Sequence, residues 1–165
     1  MEAAEIHRRL RDKLGNAVEP TLQDGDWPAC EVRAAAVAEA CRFLRDDPDL
    51  RFDCLSNLSA VDRKAADQIE VHYHLFSYAH RHQVVVKASS PRLDPVLPTV
   101  SNVWPIANWL EREAFDLMGV TFVNHPDLRR ILMPEDWVGH PLRKDFVEPE
   151  EYHGISTRRE SLLKI

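Results

Sequence analysis

The 165-residue chain is 44% hydrophobic and 29% charged, a balance that suits one globular core with an appendage and excludes disorder throughout. Its formal charge of −6, with both signs interspersed, leaves no basic stripe to neutralise nucleic-acid phosphates. The longest uncharged run, residues 95–110, contains three prolines and cannot serve as a spanning helix, which needs ~20 mostly apolar residues.

The amino terminus, "MEAAEIHRRLRDKLG", carries acidic residues and no continuous apolar stretch, so neither a secretory signal nor a transit peptide is expected and the starting compartment reads as cytosolic. Cys30, Cys41 and Cys54 are odd in number and widely spaced, which favours packed thiols over a disulfide framework or a metal motif. Ile6, Leu10 and Leu14 recur at four-residue steps before Gly15, predicting a short amphipathic helix closed by a left-handed glycine. Residues 16–32, punctuated by Pro20, Gly25 and Pro28, read as two short strands about a turn. The alanine-rich segment 32–46 predicts a second helix with a stripe at Val37, Ala40, Cys41 and Leu44, stopped by Pro48. Alternation at Phe52 and Cys54, then at Leu58 and Ala60, predicts a strand. "QIEVHYHLFSY" and "HQVVVKAS" predict two more, joined as an antiparallel hairpin near "AHRH". The order helix, two strands, helix, three strands places helices on one face of a small mixed sheet, an α+β two-layer fold.

Four prolines between Pro91 and Pro105 lead into a helix over residues 106–118, closed by Gly119. Steps of 100° put Ile106, Leu110, Ala114 and Leu117 on one face with Trp109 at its edge, and Glu113 falls inside that stripe. Either Glu113 sits at a wet helix edge, or a cation from Arg129, Arg130, Arg143 or Lys144 pairs with it, since breaking a buried pair costs on the order of 3–5 kcal/mol. Arg112 and Asp116, four residues apart, read as a surface ion pair. Beyond Asn124, prolines at 126, 134, 141 and 149 exclude a long regular element. Leu128, Ile131, Leu132, Met133, Trp137, Val138, Leu142 and Phe146 therefore need cover either on their own domain or on a second protein. The expected division is an α+β core over residues 1–122 and an extended partner-docking tail over 123–165.

Residues 111–146 resemble the signature of the C subunit, the 30-kDa subunit family, of proton-pumping NADH-quinone oxidoreductase, respiratory complex I. The resemblance rests on the triplet Glu111-Arg112-Glu113, the D-L-M-G helix end from Asp116, the run H-P-D-L-R-R-I-L from His125, and G-H-P-L-R-K-D-F from Gly139; weaker similarity reaches back to about residue 28. It implies a non-catalytic component of the hydrophilic arm with no cofactor or metal of its own, FMN and iron-sulfur clusters lying in sister subunits. It also implies a peripheral position on the cytoplasmic side of the bacterial inner membrane, and a tail that wraps the D subunit, which helps form the quinone site. The partner-binding residues it implies are Glu111, Arg112, Glu113, Asp116, His125, Asp127, Arg129, Arg130, Trp137, His140, Pro141, Arg143, Lys144, Asp145 and Phe146. Many members of the family run on further after the position of Phe146, so the extent of wrapping stays open. The equivalent component of a membrane-bound hydrogenase or cofactor dehydrogenase is an alternative within the superfamily.

An alternative of another class is a free-standing metal-dependent enzyme, in which His72, His74, His80 and His82 converge across the hairpin. The simpler expectation is four exposed hairpin histidines without a shared ion. Asp62, Asp67 and Glu70 have no spacing that predicts a catalytic pocket, and no phosphate loop or G-x-S-x-G elbow is present, so the chain is expected to carry no catalytic residues of its own.

Overall fold

A computed structural model describes residues 1–19 and 27–157. Helix α1 (Ala3–Leu14) buries Ile6 and Leu10, and Gly15 ends it with φ 56°. A three-residue strand, β1 (Ala29–Glu31), precedes helix α2 (Val37–Asp46), in which all four residues of the expected stripe are buried. This helix starts later than propensity suggests because Ala34–Ala36 wind as a 3-10 turn. Among the described residues only one of the two early strands forms. Val18 meets Val32 in a single antiparallel bridge, and residues 20–26 of that reading lie outside the described residues.

Three long strands follow: β2 (Cys54–Arg63), β3 (Gln68–Ser77) and β4 (His82–Pro91). The sheet order is β1-β4-β3-β2, with β1 parallel to β4 and the other pairs antiparallel, so the sheet is mixed. Along β3, Ile69, Val71, Tyr73 and Leu75 are buried, while Glu70, His72, His74 and Phe76 occupy the opposite, half-exposed face. This is the period-two pattern of a sheet covered on one side. In β2 the register shifts between Leu55 and Asn57, so Leu55 and Leu58, three apart, both enter the core. Cys54, expected inside, instead pairs with Phe76 and is half-buried.

After β4 the chain builds a second, two-stranded parallel sheet from β5 (Val96–Pro98) and β6 (Thr121–Val123), with helix α3 (Ala107–Met118) as the crossover. Leu97, Val100, Val120 and Phe122 join its packing to the main core. The Trp104 indole N–H donates to the Phe52 carbonyl at 3.0 Å, tying the proline-rich approach to the first layer. All three helices contribute to the same hydrophobic core on one face of the main sheet, which makes the fold α+β. From Asn124 onward the described residues contain no helix, only a small hairpin of β7 (Glu151–Tyr152) and β8 (Ile155–Ser156). No helix among the described residues is long and apolar enough to cross a membrane.

Candidate docking site

Helix α3 buries charge, and not where the apolar stripe indicates. Its inward face runs through Ala107, Glu111, Ala114 and Met118, and Arg112 and Asp116 are buried as well. Ile106 and Trp109 are 50% and 59% exposed, so the helix is turned away from the phase that its large side chains suggest. Glu113 is exposed, at the wet edge, and the helix-to-tail ion pair expected of it does not form. Arg112 and Asp116 do not form a surface pair either. Each reaches into the tail.

Asp116 gathers four donors. Its Oδ2 accepts the N–H groups of Ile131, Leu132 and Met133 at 3.1, 2.8 and 2.8 Å, and its Oδ1 accepts the Arg130 guanidinium at 2.7 Å. Burial pushes the carboxyl upward, but the N–H groups of Met133 and Leu132, the Arg130 guanidinium and the Ile131 N–H together hold it below the ordinary carboxylate range. Arg112 supplies the complementary half. Its Nε donates to the Arg129 carbonyl at 3.1 Å and Nη2 to the Arg130 carbonyl at 3.5 Å. An acceptor and a donor one helical turn apart thus fix consecutive peptide units of an irregular strand, whose backbone groups need partners wherever water is excluded.

The carboxyl end of α3 is capped by the same tail. His140 Nδ1 lies 3.0 Å from the Asp116 carbonyl, the Leu142 N–H donates to the Leu117 carbonyl at 3.1 Å, and Arg143 Nε donates to the Met118 carbonyl at 2.8 Å. These are the helix carbonyls that lack an intrahelical partner, at the negative end of the dipole. Gly119 makes the approach possible: φ is 72°, and a Cβ there would sit 2.6 Å from the His140 ring and 2.8 Å from the Arg143 guanidinium.

A further clasp joins the tail to the main sheet. Arg92 donates from Nε and Nη2 to Asp62 at 2.7 and 2.9 Å and from Nη1 to Asp145 at 2.9 Å, while the Lys144 N–H donates to Asp62 at 2.9 Å. The Arg92 guanidinium draws Asp62 down to about 2 against the effect of burial. Sequence reasoning missed Asp62 and Arg92 as tail anchors. Asp62 carried a usable signal, being in step with Leu58 and Ala60 on the inward side of β2; Arg92 carried none.

The apolar residues of the tail divide in two. Leu128 packs against the core, Ile131 and Met133 are half-buried, and Trp137 lies beside Phe146 and Tyr152 with ring centroids 6.5 and 5.1 Å away. Leu132 and Leu142 are 60% exposed, and Val138 and Val147 are 85% and 84% exposed. Of the two surfaces that could cover the anchors, the chain itself covers part of them and leaves the others exposed. Of the remaining expected partner-binding residues, Arg129 and Asp127 pair with each other on the surface at 3.0 Å, Pro141 is half-buried, and the His125 side chain is buried. Glu111, Arg112 and Asp116 offer almost no surface to a partner; Arg112 and Asp116 bond the tail, and Glu111 bonds the segment before the helix.

The histidines of the hairpin do not converge. His72 bonds Glu70 at 2.7 Å and His74 meets the edge of Trp27 on the open sheet face, whereas His82 lies on the core side and bonds the Leu50 carbonyl at 2.7 Å. His80 bonds the Pro48 carbonyl at 3.0 Å. Among the described residues no group of three or more His, Cys, Asp or Glu is placed to hold a metal ion.

Against this geometry, the family model of the respiratory-chain NADH dehydrogenase 30-kDa subunit matches residues 30–152, spanning β1, all three long strands, α3 and the clasped part of the tail. The chain belongs to that family. It is 50% identical over 138 residues to the NADH-quinone oxidoreductase C subunit of Roseiflexus castenholzii, covering 83% of this chain and 79% of the relative. It is 42% identical over 146 residues to the protein of the same name from Roseiflexus sp. RS-1, covering 88% and 84%. Among solved structures, the trypsin-resistant fragment of Nqo5 aligns with a TM-score of 0.55 at 27% identity, covering 77% of this chain and all of that one. A chain of an archaeal membrane-bound sulfane sulfur reductase aligns with a TM-score of 0.74 at 24% identity, covering 89% and 86%, a likeness of fold. The chain is thus one component of an oxidoreductase complex, an enzyme only as part of that assembly.

Proposed function

We propose that the chain is a non-catalytic structural component of complex I that docks on the D subunit, at the quinone site, in the hydrophilic arm at the cytoplasmic side of the bacterial inner membrane. Residues 1–122 act as the rigid core and residues 123–165 as the docking tail. Electron transfer from NADH through flavin and iron-sulfur clusters to quinone, and the coupled proton translocation, belong to sister subunits. The observation that carries the reading is a tail fastened along one side and apolar along the other. Asp116, Arg112 and Asp62 hold its backbone while Leu132, Val138, Leu142 and Val147 stay uncovered. Each such side chain gains roughly 1.5–3 kcal/mol on full burial, and pre-ordering the backbone removes part of the entropy otherwise lost on association.

The test is a Leu132→Glu, Leu142→Glu double variant expressed in place of the natural chain. It should keep its melting temperature in isolation and fail to co-purify with sister subunits from native membranes. Normal assembly of that variant would remove the exposed apolar side chains of the tail from the interface. The same purification separates the readings within the superfamily: a flavin-bearing NADH-oxidising protein among the partners supports complex I, and a hydrogenase or cofactor-dehydrogenase neighbour supports the alternative.

A further inference from the structure

Docking leaves one buried charge unused. Glu111 is fully buried, and Arg112 beside it turns away to the carbonyls of Arg129 and Arg130. Its carboxyl is held instead by the Val100 N–H on Oε1 at 2.7 Å and by the Thr99 hydroxyl on Oε2 at 2.5 Å. His125 Nε2 stands 3.8 Å from Oε2. This histidine lies at the root of the tail, two residues past β6. Its Nδ1 accepts the Asp127 N–H at 3.0 Å, so the ring proton is on Nε2, facing both the Asn108 carbonyl at 3.2 Å and Glu111. The other titratable groups bearing on Glu111 are Cys41 from α2 and Tyr73 from β3. Burial raises both above their ordinary values, so they stay neutral and Glu111 is the member that changes charge. Burial also raises Glu111, to about 7, against the pull of the Thr99 and Val100 hydrogen bonds.

Thr99 accommodates both states of that carboxyl. A hydroxyl donates one hydrogen and accepts two. With Glu111 ionised, Thr99 donates to Oε2 and accepts the Ser101 N–H at 3.1 Å. With Glu111 protonated, the carboxylic O–H donates to Thr99 Oγ1, and the Thr99 hydrogen turns to Ser101 Oγ, 2.9 Å away. Neither state strands a donor. Ser101 is half-buried and so reaches solvent. For uptake, Ser101 passes its hydroxyl hydrogen to Thr99, Thr99 passes its own to Glu111, and Ser101 regains one from hydronium in the medium, which leaves as water: one proton enters and one carboxylate is neutralised.

We infer that Ser101, Thr99 and Glu111 form a proton-uptake site whose occupancy sets how firmly His125 holds the root of the tail. Ionised Glu111 attracts the His125 Nε2–H and fixes the ring. Protonated Glu111 offers no charge, and the Asn108 carbonyl holds the ring alone. The inference goes beyond docking, linking the tail to the proton activity of the medium, and the full chain tests it without partners.

In a 15N-labelled full chain, the amide shifts of Val100 and Asp127 are followed from about pH 5 to about pH 9. Both should trace one titration near neutrality, and Glu111→Gln should flatten both. Thr99→Val, which removes the donor to the ionised form, should move the midpoint up by about one pH unit, a tenfold change in proton affinity. A Val100 midpoint in the ordinary carboxylate range overturns the inference, as does a flat Asp127 amide while Val100 titrates, or a midpoint that Thr99→Val leaves in place. The natural chain alone decides the first two, so a variant that fails to fold does not shelter the idea.

Discussion

Asp116→Ala isolates the grip of the last helix on the tail. The substitution removes the acceptor of three backbone N–H groups and of one guanidinium contact, all between 2.7 and 3.1 Å. Hydrogen bonds to a charged group contribute about 1.5–3 kcal/mol each, but they are not additive, and freed groups near the surface regain water. Leu132 is 60% exposed, so rehydration is open to its peptide unit. Breaking a buried charge pair sets the scale at about 3–5 kcal/mol, and with this discount the loss should be about 3–4 kcal/mol, a rise of roughly 10²–10³ in the opening equilibrium of this segment. Hydrogen exchange measures it directly. The amides of Ile131, Leu132 and Met133 should exchange faster by that factor, with the β3 amides from Val71 to Leu75 unchanged as the internal control. Asp116→Asn keeps one carbonyl oxygen and should fall between. A change below about tenfold at the three tail amides, or an equal loss of protection in β3, would refute local clamping by this carboxylate.

Other consequences follow from the same contacts. Gly119→Ala places a methyl against His140 and Arg143 in a left-handed conformation, so it should lower the melting temperature by several degrees, with a cost of about 1–2 kcal/mol or more. Asp62, held at about 2 and returning to 3.8 on unfolding, lends the tail clasp a contribution present above pH 3.8 that is lost as pH falls toward 2. Trypsin cleavage is impractical there, and acid-stable pepsin should show the tail opening in that window, earlier in Arg92→Ala. Glu111 has the opposite sign. Its folded value of about 7 exceeds the unfolded 4.5, so its contribution is full below pH 4.5 and declines by roughly 3 kcal/mol as pH rises to about 7. Urea unfolding of Glu111→Gln against the natural chain should therefore show a stability difference that varies with pH across that interval and is level above it; a constant difference would contradict the shift.

How much of this was legible depended on which interactions are local. The first helix was readable from Ile6, Leu10 and Gly15, the second from its four-residue stripe, and the hairpin from strict alternation along β3, because propensity and periodicity are properties of neighbouring residues. The family motif was legible too, and it fell on α3 and the clasped tail. The roles within the motif were not. A helical wheel assigns inward positions to large apolar side chains, and it placed Glu113 inside and Arg112 with Asp116 outside; the fold does the reverse.

The sequence by itself determined the α+β class, the long strands, the helices and a proline-broken tail that cannot become a long regular element, since each follows from backbone chemistry within a few residues. Only the tertiary structure decided that β1 joins β4 in parallel, that the shift after Leu55 turns Leu58 inward, and that Arg92 reaches Asp145 and Asp62 the Lys144 N–H from more than fifty positions away. It likewise decided which tail residues the chain covers and which it leaves open. Burial sets the value of a charge or an apolar side chain, and burial depends on segments that meet in space after long intervals of chain, where local pattern carries no information.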